Sequence, residues 1–299
     1  PAVLTASMLM GLPDSMDMVS LWDNSSNLSQ GKIEDLRMVQ QKKGTKVLMC
    51  TFIQYVGKGF TPAEYDVDEA TREAFWGWVD DDEAAIKTSM EKYAQAIADT
   101  IYKYNYDGLD IDFEPNGDGV VGKLDENDTY VRWFLDILCK HLGPQSNSGK
   151  MLVIDGELWK VPVSAATYFD YFIGQAYSVS GGTPSPNAGQ SESNMDSRLT
   201  QIRFGGVMSE EEITKRFIVT ENMESAIDAL NGGYFWTLRN GTRLDKAECP
   251  SLLGMARWQP VNGFRKGGFG GYRFSNEAVN KPSYKWMRTG IQAQNPAVN

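Results

Sequence analysis

Seven short apolar runs recur along the chain, most of them bounded by Gly, Asp, Asn or Pro, with amphipathic stretches between them. This alternation is the strongest constraint on the fold, because strands separated by helices assemble as βα units around a parallel sheet. The candidate strands are 16–22, 46–53, 108–113, 151–155, 171–177, 217–220 and 268–274. Helical patterns occupy 33–43, 84–104, 128–142, 209–216, 223–230, 247–258 and 283–291. In 84–104, Ile86, Met90, Tyr93, Ile97 and Ile101 recur at helical spacing, and Asn127 or Asp128 is placed to cap the helix that follows the third strand.

A closed (β/α)8 TIM barrel has eight strands, and about 250 residues suffice for one. The 299 residues are therefore expected to form a single α/β barrel domain spanning 1–299. LTASMLMGL reads as a helix ending at Pro13, ahead of the first candidate strand. The missing first strand is expected upstream of Pro1 or, in degenerate form, at 2–5. The stretches 54–82, 178–206 and 231–267 read as long loops after strands, where a βα barrel builds its site. Trp76, Trp78, Tyr234, Phe235 and Trp236 fall in two of them, as packing rings or as sugar platforms.

Composition removes several functional classes. Net charge is −10 with no basic block, which disfavours nucleic acid as a partner. No apolar run approaches the length of a membrane span. The one histidine, His141, excludes a multi-His metal centre and reads as structural. Cys50, Cys139 and Cys249 have no metal-ligand spacing and read as buried thiols. No cofactor is implied.

The chemistry concentrates in DGLDIDFE, residues 107–114. Alternation along a strand puts Asp110, Asp112 and Glu114 on one face and Leu109, Ile111 and Phe113 on the other. Carboxylates this close and buried cannot all stay ionised, so a pKa must rise. A carboxylic acid that keeps its proton near neutral pH is what protonation of a glycosidic oxygen needs. On the sixth barrel strand Gln175 and Tyr177 share a parity, and Asp155 and Glu157 do so on the fifth. Glu221 ends the next strand, and it and Asp155 are candidate contacts for sugar hydroxyls.

DGLDIDFE resembles the DxxDxDxE signature of family 18 glycoside hydrolases at Asp107, Asp110, Asp112 and Glu114. KVLMCTFIQ, FDYFIGQAY and GFGGYRF fall where neighbouring barrel strands belong. Within the family the chain looks most like bacterial endo-β-N-acetylglucosaminidases that cut the chitobiose core of N-glycans. Chitinases of the family usually show SxGG and MxYD where this chain has CTFIQ and GQAY, and no eighth-strand Trp stands in GGYRF, which points away from chitin. The resemblance implies substrate-assisted catalysis. Glu114 would be the acid, Asp112 the partner of the substrate's acetamido N–H, and Asp110 a proton-sharing neighbour of Asp112. Tyr177 and Gln175 would donate to the acetamido carbonyl, with Asp107 a further motif position. It also implies N-linked glycans as partners and a secreted, periplasmic or cell-surface location.

Overall fold

The computed structural model describes residues 8–22, 25–115, 122–125, 127–179 and 187–296. Two compact units divide the chain: Met18–Ile33 with Lys46–Asp170, and Pro1–Asp17 with Glu34–Thr45 and Tyr171–Asn299.

In the former, β1 (Met18–Leu21), β2 (Lys46–Phe52), β3 (Gly108–Phe113) and β4 (Met151–Gly156) are parallel and hydrogen-bonded in that order. Along the chain α1 (Gln30–Lys43), most of which belongs to the other unit, falls between β1 and β2, while α2 (Glu69–Trp76) and α3 (Glu83–Tyr104) lead from β2 to β3. Helix α4 (Asp128–Leu138) lies between β3 and β4. Every residue of β3 is buried, as a parallel strand covered on both faces must be. Helix α3 opens at Asp82, whose carboxylate accepts from the Ala84 and Ala85 amides, and closes at left-handed Asn105. Its Tyr93 stacks on Phe134 of α4, ring centroids 5.3 Å apart.

The other unit holds β5 (Tyr171–Gln175), β6 (Gly189–Ser191), α5 (Glu192–Gln201), α6 (Glu210–Arg216), β7 (Phe217–Asn222) and α7 (Ala226–Leu230). It continues through β8 (Phe235–Thr237), α8 (Ser251–Arg257), β9 (Gly268–Tyr272) and α9 (Lys285–Gln294). Strands β5, β7 and β9 run parallel in that order, and β6 pairs with β8 in a separate parallel ribbon. Buried Lys266 donates to the Ala256 and Trp258 carbonyls at the end of α8. No side chain at Tyr284 caps α9. The fully buried carboxylate of Glu277 does so instead, accepting from the Trp286 and Met287 amides.

All seven candidate strands are present. The expected opening helix is, among the described residues, only the 3-10 turn Leu9–Gly11; its residues 4–7 and the degenerate strand at 2–5 lie outside them. The three expected loops carry regular structure: α2 in 54–82, β6 and α5 in 178–206, and β8 and α8 in 231–267. Trp76, Trp78, Tyr234 and Trp236 are buried there, so they pack. Phe235 lies under the Arg243 guanidinium, 3.6 Å away. The helical pattern 128–142 stops at Leu138, and His141 sits in the turn beyond; 223–230 shortens to Ala226–Leu230. All three cysteines are free and buried. No helix among the described residues is long and apolar enough to cross a membrane.

Candidate active site

Strand register assembles the site. Residues side by side on parallel strands point to the same face. Cys50 of β2 pairs with Asp110 of β3, and Phe52 with Asp112. On the other flank Asp112 pairs with Asp155 of β4. One face of the four-stranded sheet therefore carries Cys50, Asp110, Asp112 and Asp155, with Glu114 just past the end of β3.

Each carboxylate has a distinct setting. Asp110 is 2% exposed; its Oδ2 accepts from the Ser20 hydroxyl at 2.5 Å, while its Oδ1 has no hydrogen-bond donor. Burial pushes its pKa above the usual carboxylate range, against the pull of Ser20. Asp112 is 5% exposed; its Oδ2 accepts from the Trp22 indole N–H at 3.1 Å, and the side chain is also hydrogen-bonded to Asp155. Burial first, and then the charge of Glu114, raise its pKa, while the bonds from Trp22 and Asp155 act the other way. The Trp22 ring meets Phe52 edge to face, centroids 5.7 Å apart.

Glu114 is half-buried at the strand end. Two contacts fix the chain around it: the Glu157 amide donates to the Phe113 carbonyl at 2.9 Å, and Lys160 Nζ to the Pro115 carbonyl at 2.9 Å. Gly156 makes the approach possible. Its φ is +102°, and a Cβ there would lie 2.4 Å from the Phe113 carbonyl oxygen and 3.4 Å from Glu114 Cγ.

The structure thus brings Asp110, Asp112, Glu114 and Asp155 together, and corrects several sequence expectations. Asp110 shares no hydrogen bond with Asp112; Ser20 holds Asp110, and the carboxyl partner of Asp112 is Asp155. Asp107 is at the opposite end of β3. There it accepts from the Val47 amide at 2.9 Å and pairs with Lys46 at 3.1 Å, so it ties β2 to β3. Glu157 lies beyond β4 in an ion pair with Lys160.

In the other unit, Glu221 is fully buried. It accepts from the Ser178 amide and hydroxyl, at 2.7 and 2.6 Å, and from the Asn222 amide at 2.9 Å, and it is also bonded to Ser251. It anchors the chain after β5, and its hydrogen bonds are to the protein. Burial raises its pKa against those hydrogen bonds. Gln175, at the end of β5, and Tyr177 are half-buried, as their shared parity implies. Tyr177 stacks on Tyr272 of β9 at 6.0 Å.

Sequence reasoning missed Trp22, Ser20, Cys50 and Gly156. Ser20 and Trp22 share a parity at the end of the first strand, which was their one visible signal.

A parallel α/β chain with this run of strand-borne carboxylates defines a glycoside hydrolase of the (β/α)8 barrel class. The family model described as glycoside hydrolase family 18, BT1044-like, matches residues 1–293, and the chain belongs to glycoside hydrolase family 18. Among solved structures, a selenomethionine Glu-to-Gln variant of BT1044 is 28% identical, with a TM-score of 0.78 over 99% of this chain and 84% of that one. An endo-β-N-acetylglucosaminidase from Cordyceps militaris, a double mutant in complex with fucosyl-N-acetylglucosamine-Asn, is 19% identical. Its TM-score is 0.55 over 96% of this chain and 84% of that one. A family 18 chitinase from Pseudoalteromonas aurantia is 13% identical, with a TM-score of 0.56 over 97% of each chain. The two more distant likenesses bear on the fold alone. The comparison with curated proteins gives no match.

Proposed function

We propose that the chain is an endo-β-N-acetylglucosaminidase that cuts the GlcNAc-β-1,4-GlcNAc core of N-glycans with retention, through an oxazolinium intermediate. The observation that carries this reading is the contrast between two neighbouring acids. Glu114 is half-exposed at the strand end, while Asp112 is buried with a raised pKa and oriented by Trp22 and Asp155.

Glu114 protonates the glycosidic oxygen as the bond to C1 breaks. The carbonyl oxygen of the substrate's own 2-acetamido group attacks C1, giving the oxazolinium ion. Asp112 accepts the acetamido N–H and offsets the developing positive charge, while Trp22 and Asp155 hold its carboxylate in place. Water then attacks C1 and gives a proton to the Glu114 carboxylate, restoring the acid. Because the nucleophile belongs to the substrate, carboxylate separation does not dictate stereochemistry in this family. For the acetamido carbonyl, the family resemblance supplies Tyr177 and Gln175 as donors, an assignment resting on their sequence positions. No step calls on a cofactor.

One sequence feature supports N-glycans over chitin. The chain has CTFIQ and GQAY where chitinases of the family usually show SxGG and MxYD. The linkage to Asn is an amide, so cleavage falls between the two core GlcNAc residues. N-linked glycoproteins as partners, a secreted, periplasmic or cell-surface location and one catalytic domain over 1–299 belong to the same reading.

Mass spectrometry of treated N-glycoproteins, run beside chitin oligomers, tests it. One GlcNAc left on Asn is the expected product. Complete glycan removal, or activity on chitin oligomers alone, overturns the proposal.

A further inference from the structure

Cys50 has no part in the chemistry above, yet it stands on the same face of the sheet. It is 5% exposed and pairs in register with Asp110. The thiol sulfur of Cys50 and one carboxylate oxygen each of Asp110 and Asp155 lie within 4.8 Å of one another. A second observation points to a ligand. Asp110 is 98% buried, with one oxygen held by Ser20, while its Oδ1 has no hydrogen-bond donor. An acceptor left unsatisfied in a buried setting typically costs ~1–3 kcal/mol, and a cation beside it removes that cost.

We propose that Cys50, Asp110 and Asp155 form a binding site for a thiophilic divalent cation, of the Zn²⁺ or Cd²⁺ class, whose occupation switches the enzyme off. Donor type sets the class. Ca²⁺ and Mg²⁺ take all-oxygen shells, whereas one sulfur with two carboxylate oxygens suits borderline and soft ions. Metal–ligand bonds of ~2.0–2.3 Å bring tetrahedral donors to separations of ~3.3–3.8 Å. The donors therefore need to close by at most ~1.5 Å, within reach of side-chain rotation. Water completes the shell. The Cys50 thiol and the carboxyl hydrogen bond between Asp155 and Asp112 each give up a proton to the buffer on binding, so the cation meets one thiolate and two carboxylates.

Occupation has a functional consequence that rests on the reading of Asp112 above. Asp155 is hydrogen-bonded to Asp112, and a cation that takes an Asp155 oxygen withdraws it from that partner. Asp112 then loses the orientation it needs toward the acetamido N–H. The cation also places positive charge beside the carboxylate that offsets the oxazolinium charge.

The test uses CdCl2 alone on the intact protein, without substrate. The thiolate-to-cadmium absorption band in the near ultraviolet is followed, and affinity is measured by calorimetry. Hydrolysis is then assayed with and without the ion. One Cd²⁺ per chain is expected, with the band and the tight phase both lost in Cys50→Ala. In Asp155→Asn, which retains the thiol, affinity should fall by ~10–100-fold or more, the loss typical even of outer-shell partners. Circular dichroism shows that each variant is folded. Absence of a band in the unmodified protein overturns the proposal, and so does a band that survives Cys50→Ala and therefore arises at Cys139 or Cys249. Binding at Cys50 with an unaltered hydrolytic rate upholds the cation site but removes its switching role and the part assigned to Asp155 beside Asp112. Binding with loss of rate, absent in folded Cys50→Ala, upholds both.

Discussion

Replacing Trp22 with Phe removes one hydrogen-bond donor while keeping a ring against Phe52, so it isolates the bond to Asp112. A hydrogen bond to a charged group typically contributes ~1.5–3 kcal/mol. Trp22 is 43% exposed, so water partly replaces the lost donor and the lower end applies, about 1.5 kcal/mol. The sign follows from the chemistry. The indole N–H stabilises ionised Asp112, and burial already holds this carboxyl above its usual range. Losing the donor raises its pKa further. Activity needs ionised Asp112 to accept the acetamido N–H, so the acidic limb of kcat/KM should move to higher pH by about one pH unit, at 1.36 kcal/mol per unit. Below that limb the rate should fall ~10-fold, and on the alkaline side the loss should be smaller. The assay is hydrolysis of a core N-glycan across pH for both proteins. An unmoved acidic limb with a uniform loss of rate would show that Trp22 merely packs, and would refute the coupling to Asp112.

Asp112→Asn should impair hydrolysis of the glycoside more than use of a preformed GlcNAc oxazoline, because the oxazoline bypasses the step in which Asp112 orients the acetamido group. Equal losses in the two assays would contradict that division. Gly156→Ala forces a Cβ to within 2.4 Å of the Phe113 carbonyl oxygen at φ +102°. It should displace the strand end that carries Glu114 and lower kcat by ~10²-fold, as 1 Å misplacements do; near-normal kcat in a folded variant would refute the positional argument. Glu277→Ala leaves the Trp286 and Met287 amides without their carboxylate and should cost ~2 kcal/mol in urea unfolding, the upper range for a lost cap. A loss under ~0.5 kcal/mol would show that water takes over the cap.

Much of the fold was legible because each sheet strand lies in a short apolar run, most of them bounded by Gly, Asp, Asn or Pro. The short ribbon was not. Gly189–Ser191 reads GQS, with no strand signal of its own, and becomes β6 only by pairing with Phe235–Thr237. Helix α5 buries only Met195 and Leu199, too sparse a stripe to announce itself. At the site, parity correctly placed Asp110 and Asp112 on one face, since alternation is a property of a single strand, and Glu114 lies just past its end. The partners of those acids depend on register between strands, which no local pattern encodes. Asp112 faces Asp155 because β3 and β4 align that way, and Ser20 reaches Asp110 from β1. Glu221 shows the same limit. Its position at a strand end suggested a sugar contact, but the returning Ser178 backbone closes over it.

The central claim is that Glu114 supplies the proton to the leaving sugar, and Glu114→Gln tests it most directly. Gln retains the size and the half-buried position but has no acidic proton. Hydrolysis of a core N-glycan should fall by ~10²–10⁴-fold, the usual contribution of a general acid. Calorimetric binding of the intact glycan should remain close to that of the unmodified protein. A folded variant that binds the glycan and keeps more than about a tenth of the rate would show that another group is the acid.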